Sequence, residues 1–111
     1  MNNRMNPRKF GPYFWGALHT ACIDPGVGLL DLHEFVRLYQ YVLPCAKCRE
    51  SFKESLGVIP MPVTTDRDVL FKWSVDIHNH VNYKLGRAPM GFLEARALWT
   101  QNPPESFQDF F

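Results

Sequence analysis

Only three cysteines occur in this chain of 111 residues, too few for the disulfide framework of a small secreted domain. No apolar run approaches the roughly 20 residues of a membrane span, and no signal peptide is visible, so the sequence predicts a protein used where it is made. No G-x-G-x-x-G occurs, and with it the glycine loop of a Rossmann unit is missing. Neither sign of charge dominates. Twelve basic residues stand against eleven acidic ones, which removes the bulk electrostatic case for nucleic-acid binding. Arg4, Arg8 and Lys9 read as part of a solvated leader. No segment alternates polar and apolar residues convincingly, so no strand is expected.

What is present is apolar and aromatic. With 46% hydrophobic and 14% aromatic residues, one domain with a single core is expected. Proline and glycine divide it cleanly. A polar leader covers 1–10, a helical domain 11–102 and a tail 103–111. Pro12 suits the first turn of a helix to about Ile23, closed by Asp24-Pro25-Gly26. Asp31 with Glu34 resembles a capping box for a helix to Val42. Pro44 begins a third helix, Cys45 to Leu56, which Gly57 would close. Thr65 with Asp68 opens the longest, ending at Leu85 before Gly86, and a short one covers Phe92 to Gln101. The fold class is all-α: a four-helix bundle plus a short fifth helix.

The most informative motif is Cys45-Ala46-Lys47-Cys48, directly after Pro44. Two thiols in the first turn of a helix can close a disulfide, and the helix N-terminus favours a thiolate there. Zinc is disfavoured: a tetrahedral site needs four ligands, and His78 and His80, at i and i+2 on a helix, point about 200° apart. A thioredoxin-like frame is disfavoured too, because it needs strands around the cysteines.

The fourth helix carries a second signal. Leu70, Phe71, Ser74, Val75, His78, Val81, Asn82 and Leu85 fall on one stripe at about 100° per residue. The stripe begins apolar and acquires His78 and Asn82 at its end. Buried imidazole and amide groups need partners, since leaving one unpaired costs about 1–3 kcal/mol. With Asn79 and Lys84 beside them, the group suggests a ligand with acceptors and an aromatic face. Trp15 and His19, at i and i+4, repeat the pattern on the first helix.

Three motifs now stand in a definite order: Trp15-Gly16-Ala17-Leu18-His19, then Leu43-Pro44-Cys45-Ala46-Lys47-Cys48, then His78-Asn79-His80-Val81-Asn82-Tyr83-Lys84-Leu85-Gly86. They resemble the W-x-x-L-H, P-C-x-x-C and H-N-x-V-N-x-x-L motifs of the Erv/ALR flavin-dependent sulfhydryl oxidases, with Trp99 where that family has a further Trp. The resemblance spans Gly11 to Trp99. It implies a helical bundle holding FAD, with Gly11, Trp15, His19, His78, Asn79, Val81, Asn82, Lys84, Leu85 and Trp99 as cofactor contacts. Trp99 and His78 would flank the adenine, and Lys84 with Arg87 would face the phosphates. It also implies catalysis by Cys45 and Cys48. A donor thiolate attacks at Cys45, Cys48 leaves as a thiolate facing the flavin, and electrons pass through the flavin to oxygen, giving hydrogen peroxide. The implied partners are a thioredoxin-like or other dithiol protein, molecular oxygen and a second copy of the chain in a non-covalent homodimer.

The departures from that family are as specific as the matches. The leader and the tail contain no cysteine, so the shuttle pair of many cellular members is missing. Val75 and Phe92 stand where cellular relatives often carry a structural disulfide, and Pro12 replaces an expected basic residue. Such short forms resemble those encoded by large cytoplasmic DNA viruses, which implies a cytoplasmic location in an infected cell. Cys22 reads as a small buried hydrophobe. Phe107, Phe110 and Phe111 are expected to pack against the bundle. The competing function is an interaction module that keeps the bundle without oxidase activity.

Overall fold

The computed structural model describes residues 7–100, and the regular structure among them is helical. Five helices follow in order: α1 (Pro7–Ile23), α2 (Leu29–Val42), α3 (Ala46–Val58), α4 (Arg67–Lys84) and α5 (Phe92–Thr100). The expected bundle is present, with adjustments at its ends. Residues 7–10, assigned to the leader from sequence, belong to α1, and Pro12 lies buried inside that helix rather than at its start. Proline there forgoes a single intrahelical bond, to the carbonyl four residues back. The tail at 103–111, with its three phenylalanines, lies outside the described residues.

Local chemistry explains the boundaries. Asp24 ends α1 by accepting from the Gly26 N–H at 2.8 Å, an Asx turn. The capping box expected at Asp31 does not form: α2 starts at Leu29 with Gly28 as N-cap and no side-chain cap bond. Asp31 instead places its carboxylate in the first turn, where the helix dipole favours it. Gly57 does not close α3, which continues to Val58 and is capped by Ile59 N–H on the Ser55 carbonyl. Asp66, not Thr65, caps α4, accepting from the N–H groups of Asp68 and Val69. The stop at Gly86 holds. Its φ of +70°, with Gly86 N–H on the Tyr83 carbonyl and Arg87 N–H on that of Asn82, makes a Schellman turn.

Helix α4 is the hub, packed against α1, α3 and α5. The stripe read from sequence is buried at Leu70, Phe71, Ser74, Val75, His78 and Asn82. Trp73 and Ile77 are buried as well, because α3 covers a flank that the single-stripe reading left to solvent. The main cluster joins Trp15, Leu18, Leu32, Val36, Phe52, Leu70 and Ile77. Full burial of a side chain such as Phe52 contributes about 1.5–3 kcal/mol. A second cluster, Phe71, Val75, Ala95 and Trp99 with Phe92 against it, seats α5. Gly16 permits that seat: a Cβ there would lie 3.0 Å from the Trp99 ring.

Candidate active site

Residue 45 occupies a special place in the chain. Pro44 prevents α2 from running on, and the Cys45 N–H turns back to the Leu43 carbonyl at 2.8 Å. Cys45 thereby becomes the N-cap of α3, and its sulfur accepts from the Cys48 N–H at 3.1 Å. Cys45 and Cys48 form a disulfide in which both residues are half-buried. The first sulfur faces the positive end of α3, where an anionic thiolate is favoured.

This disulfide forms part of the wall of a partly open cavity of about 320 Å³. Aromatic and apolar groups make most of the lining: Phe10, Phe14, Trp15, Leu43, Phe52, Val81 and Leu85, with Gly11 leaving room on α1. Asn82, Ser51, Lys47 and Arg87 supply the polar edge. The volume sits at the small end of ligand sites, about 300–1,000 Å³. It takes a flat ring system, while a longer ligand would extend through the mouth. The Schellman turn after α4 matters here, because it folds the chain back and brings Arg87 to the lining.

Of the residues singled out from sequence, Gly11, Trp15, Cys45, Cys48, Val81, Asn82 and Leu85 meet at this cavity. His19, His78 and Trp99 lie behind it in a buried ring cluster. Trp15 belongs to both groups, lining the cavity while stacking on His78 at 4.0 Å and 7°. His19 lies 5.2 Å from His78 and 5.8 Å from Trp99, centroid to centroid. Its Nε2 is 3.0 Å from His78 Nδ1, and its Nδ1 is 2.8 Å from Ser74 Oγ. Burial holds both imidazoles neutral. It pushes His19 down to about 3 and His78 well below the usual histidine range, with His19 and Arg87 adding to the effect on His78. His78 Nε2 is buried and has no hydrogen-bond partner among the described residues.

The structure places Asn79 and Lys84 elsewhere. Asn79 spends both ends of its amide on the Met90 backbone, at 2.9 and 2.7 Å, and so ties the segment before α5 to α4. Lys84 donates to the Ser51 carbonyl at 2.9 Å, bridging α4 to α3. Sequence reasoning missed Phe10, Phe14 and Phe52 as lining residues. Their signal was helical spacing: Phe10 and Phe14 are four apart, and Phe52 is four beyond Cys48. His80, two residues from His78, turns to a different helix and bonds Ser55 at 2.9 Å. Cys22 is fully buried, and desolvation pushes its thiol up to about 12.

Comparison with known proteins bears on the family and the fold. The chain is 35% identical over 98 residues to a protein of Acanthamoeba polyphaga mimivirus named as a probable FAD-linked sulfhydryl oxidase, a match covering 82% of this chain and 68% of that one. A protein of Invertebrate iridescent virus 6, named for the same activity, is 26% identical over 106 residues, covering 86% and 96% of the two chains. The fold is similar to the crystal structure of a double cysteine-to-serine variant of Erv1 from Saccharomyces cerevisiae. That likeness has a TM-score of 0.77 at 17% identity and covers 94% of this chain and 92% of the other. The sequence pattern of the Erv1 / Alr family matches residues 13–100, and the chain belongs to that family.

Proposed function

We propose that this protein is an FAD-dependent thiol oxidase that forms disulfides in a partner protein and passes the electrons to oxygen, producing hydrogen peroxide. One observation carries the reading: the Cys45–Cys48 disulfide is part of the wall of an aromatic cavity. A flavin needs such a flat apolar slot, and a dithiol must adjoin it to deliver electrons. The names of the viral relatives point the same way.

The residues present fit the cofactor. Phe14, Trp15 and Phe52 would hold its ring system, and Asn82 would meet a ring edge. Lys47 and Arg87 would offset the charge of a diphosphate at the mouth, and behind the cavity His78 Nε2 is a buried polar atom with its hydrogen bond unmade. Bound FAD supplies a two-electron acceptor that thiols can reduce and oxygen can reoxidise. The protein's own steps are thiol exchange. A substrate thiolate attacks Cys45 Sγ, the Cys45–Cys48 bond breaks, and Cys48 departs as a thiolate. The substrate's second thiolate then attacks its own mixed-disulfide sulfur and releases Cys45. The Cys48 N–H and the α3 dipole favour that departure, because they stabilise negative charge on Cys45 Sγ. Substrate dithiol has become disulfide, the Cys45–Cys48 disulfide has become dithiol, and two electrons are held beside the cavity.

The homodimer remains part of this reading, supported by exposed Leu30, Leu38 and Tyr41 on α2. So does a cytoplasmic site of action in an infected cell, supported by the viral relatives. No helix among the described residues is long and apolar enough to cross a membrane. The test is spectral and kinetic. Purified protein should be yellow, with flavin near-stoichiometric to chain, and should consume oxygen when given a small dithiol. Colourless protein that neither takes up added FAD nor oxidises thiols would return the chain to the class of interaction modules.

A further inference from the structure

Three buried side chains make a continuous hydrogen-bonded line from the backbone of α4. Ser74 Oγ lies 2.6 Å from the Phe71 carbonyl, His19 Nδ1 lies 2.8 Å from Ser74 Oγ, and His19 Nε2 lies 3.0 Å from His78 Nδ1. A carbonyl only accepts, so the single hydroxyl proton of Ser74 points at Phe71. Ser74 Oγ must then accept from His19, which puts the His19 proton on Nδ1. His19 Nε2 is left with its lone pair and accepts from His78 Nδ1–H. The far nitrogen of His78 consequently bears no proton.

We infer that Ser74 is a positioning residue. Acting through His19, it locks His78 in the tautomer whose Nε2 is a bare acceptor, so the ring cluster behind the cavity offers an acceptor, and no donor, to any ligand group that reaches it. The reverse direction of the line fails at Ser74, where an unprotonated His19 Nδ1 would face an oxygen whose only proton is engaged elsewhere. An imidazolium at His19 would also reverse His78, but the ring is fully buried and Trp15, Phe71, His78 and Trp99 surround it without a carboxylate among them. The Cys22 thiol, which hydrogen-bonds Ser74, stays protonated, adds no charge and can donate to the second lone pair of Ser74 Oγ. Of the groups FAD carries, the adenine amine, the imide N–H of the flavin and the sugar hydroxyls can meet a bare nitrogen. Phosphate oxygens and ring carbonyls cannot. That choice of donors rests on the FAD reading above, whereas the tautomer does not.

The test uses full-length protein, flavin included, with histidine labelled with nitrogen-15 and long-range nitrogen–proton spectra near neutral pH. Both His19 and His78 should carry their proton on Nδ1, leaving a pyridine-like Nε2. An Nε2 proton on either ring, or an imidazolium, would overturn the inference. Ser74→Ala should move the His78 proton toward Nε2 and weaken flavin retention about two- to tenfold, the worth of one hydrogen bond. Ser74→Thr, which keeps the hydroxyl, should restore both. A Ser74→Ala protein with the wild-type tautomers and the wild-type flavin affinity would also overturn it. Tautomers that respond as stated in a protein without affinity for FAD would uphold the relay and remove the FAD reading alone.

Discussion

Acidification should destabilise this fold, and the buried histidines set the size of the effect. His19 has an ordinary value of 6.5 once unfolded but stays neutral in the native state down to about 3. Below pH 6.5 the unfolded chain takes up a proton that the native chain refuses, so stability falls as pH falls, until about 3. Between about pH 7.5 and pH 5.5 the His19 contribution comes to about 1.4 kcal/mol. His78, shifted the same way by burial and by its neighbours His19 and Arg87, adds to it. At the opposite end Cys22, pushed up from 9.0 to about 12, lowers stability as pH rises through the range where its unfolded thiol ionises. The optimum therefore lies between the two. The assay is urea unfolding at the two acidic-side values, at fixed FAD concentration, because a bound cofactor shifts apparent stability by mass action. At a slope of about 1–3 kcal/mol per molar, the His19 share alone lowers the midpoint by about 0.5–1.4 M. His19→Gln should flatten its share of the slope. Equal midpoints at both pH values, or an imidazolium at His19 in the folded protein at the lower one, would refute the reasoning.

Cys45→Ser and Cys48→Ser should each abolish dithiol-driven oxygen consumption while leaving FAD bound. Only the Cys45 variant, which keeps a thiolate at Cys48, should show a long-wavelength charge-transfer band; the band in Cys48→Ser alone would exchange the two roles. Asn79→Ala should lower unfolding stability by about 1–3 kcal/mol through loss of its bonds to the Met90 backbone. Loss of flavin with an unchanged melting temperature would instead make Asn79 a direct cofactor contact. Small dithiols and partners with an exposed CxxC should react faster than bulky folded dithiols, since Cys45 is half-buried in the cavity wall. A partner lacking its resolving cysteine should be trapped on Cys45, and mass spectrometry finding the link on Cys22 or Cys48 would contradict the proposed path.

The sequence made the bundle legible because proline and glycine punctuate it so clearly, and because the α4 stripe is long enough to show its period. Its failures have physical causes. Asp31 and Glu34 resemble a capping box, but Glu34 is engaged with Arg37 on the exposed face, and the helix is capped three residues earlier, at Gly28, without a side-chain bond. Gly57 looked like a stop, yet nothing there requires a left-handed backbone, whereas Gly86 has one. The cavity was half legible. Cys45, Cys48, Trp15 and Asn82 stood out by residue type, but Phe14 and Phe52 are ordinary core aromatics whose role depends on where α1 and α3 diverge. Asn79 and Lys84 advertise polarity without revealing that the backbone at Met90 and Ser51 satisfies it. Ser74 was visible only as a small residue on an apolar stripe, and its value lies in bonds to residues far off in the chain.

The seam between α4 and α5 has a consequence for life in a reducing medium. Val75 is buried there and Phe92 packs into the same cluster, while the Phe71 and Phe92 rings meet edge-on at 6.0 Å. Dispersion, the exclusion of water, the Asn79 bonds to Met90 and the Arg96–Asp68 ion pair close this joint, and none of them responds to redox potential. An enzyme that works on thiols is bathed in reductant, its own substrate included, and a joint stapled by cystine could be unpicked by the molecules it serves. Here one disulfide at the cavity wall and one entombed thiol account for all three cysteines. The electron path proposed through the Cys45–Cys48 bond would therefore leave the frame around it unaltered, because no other disulfide joins the described residues.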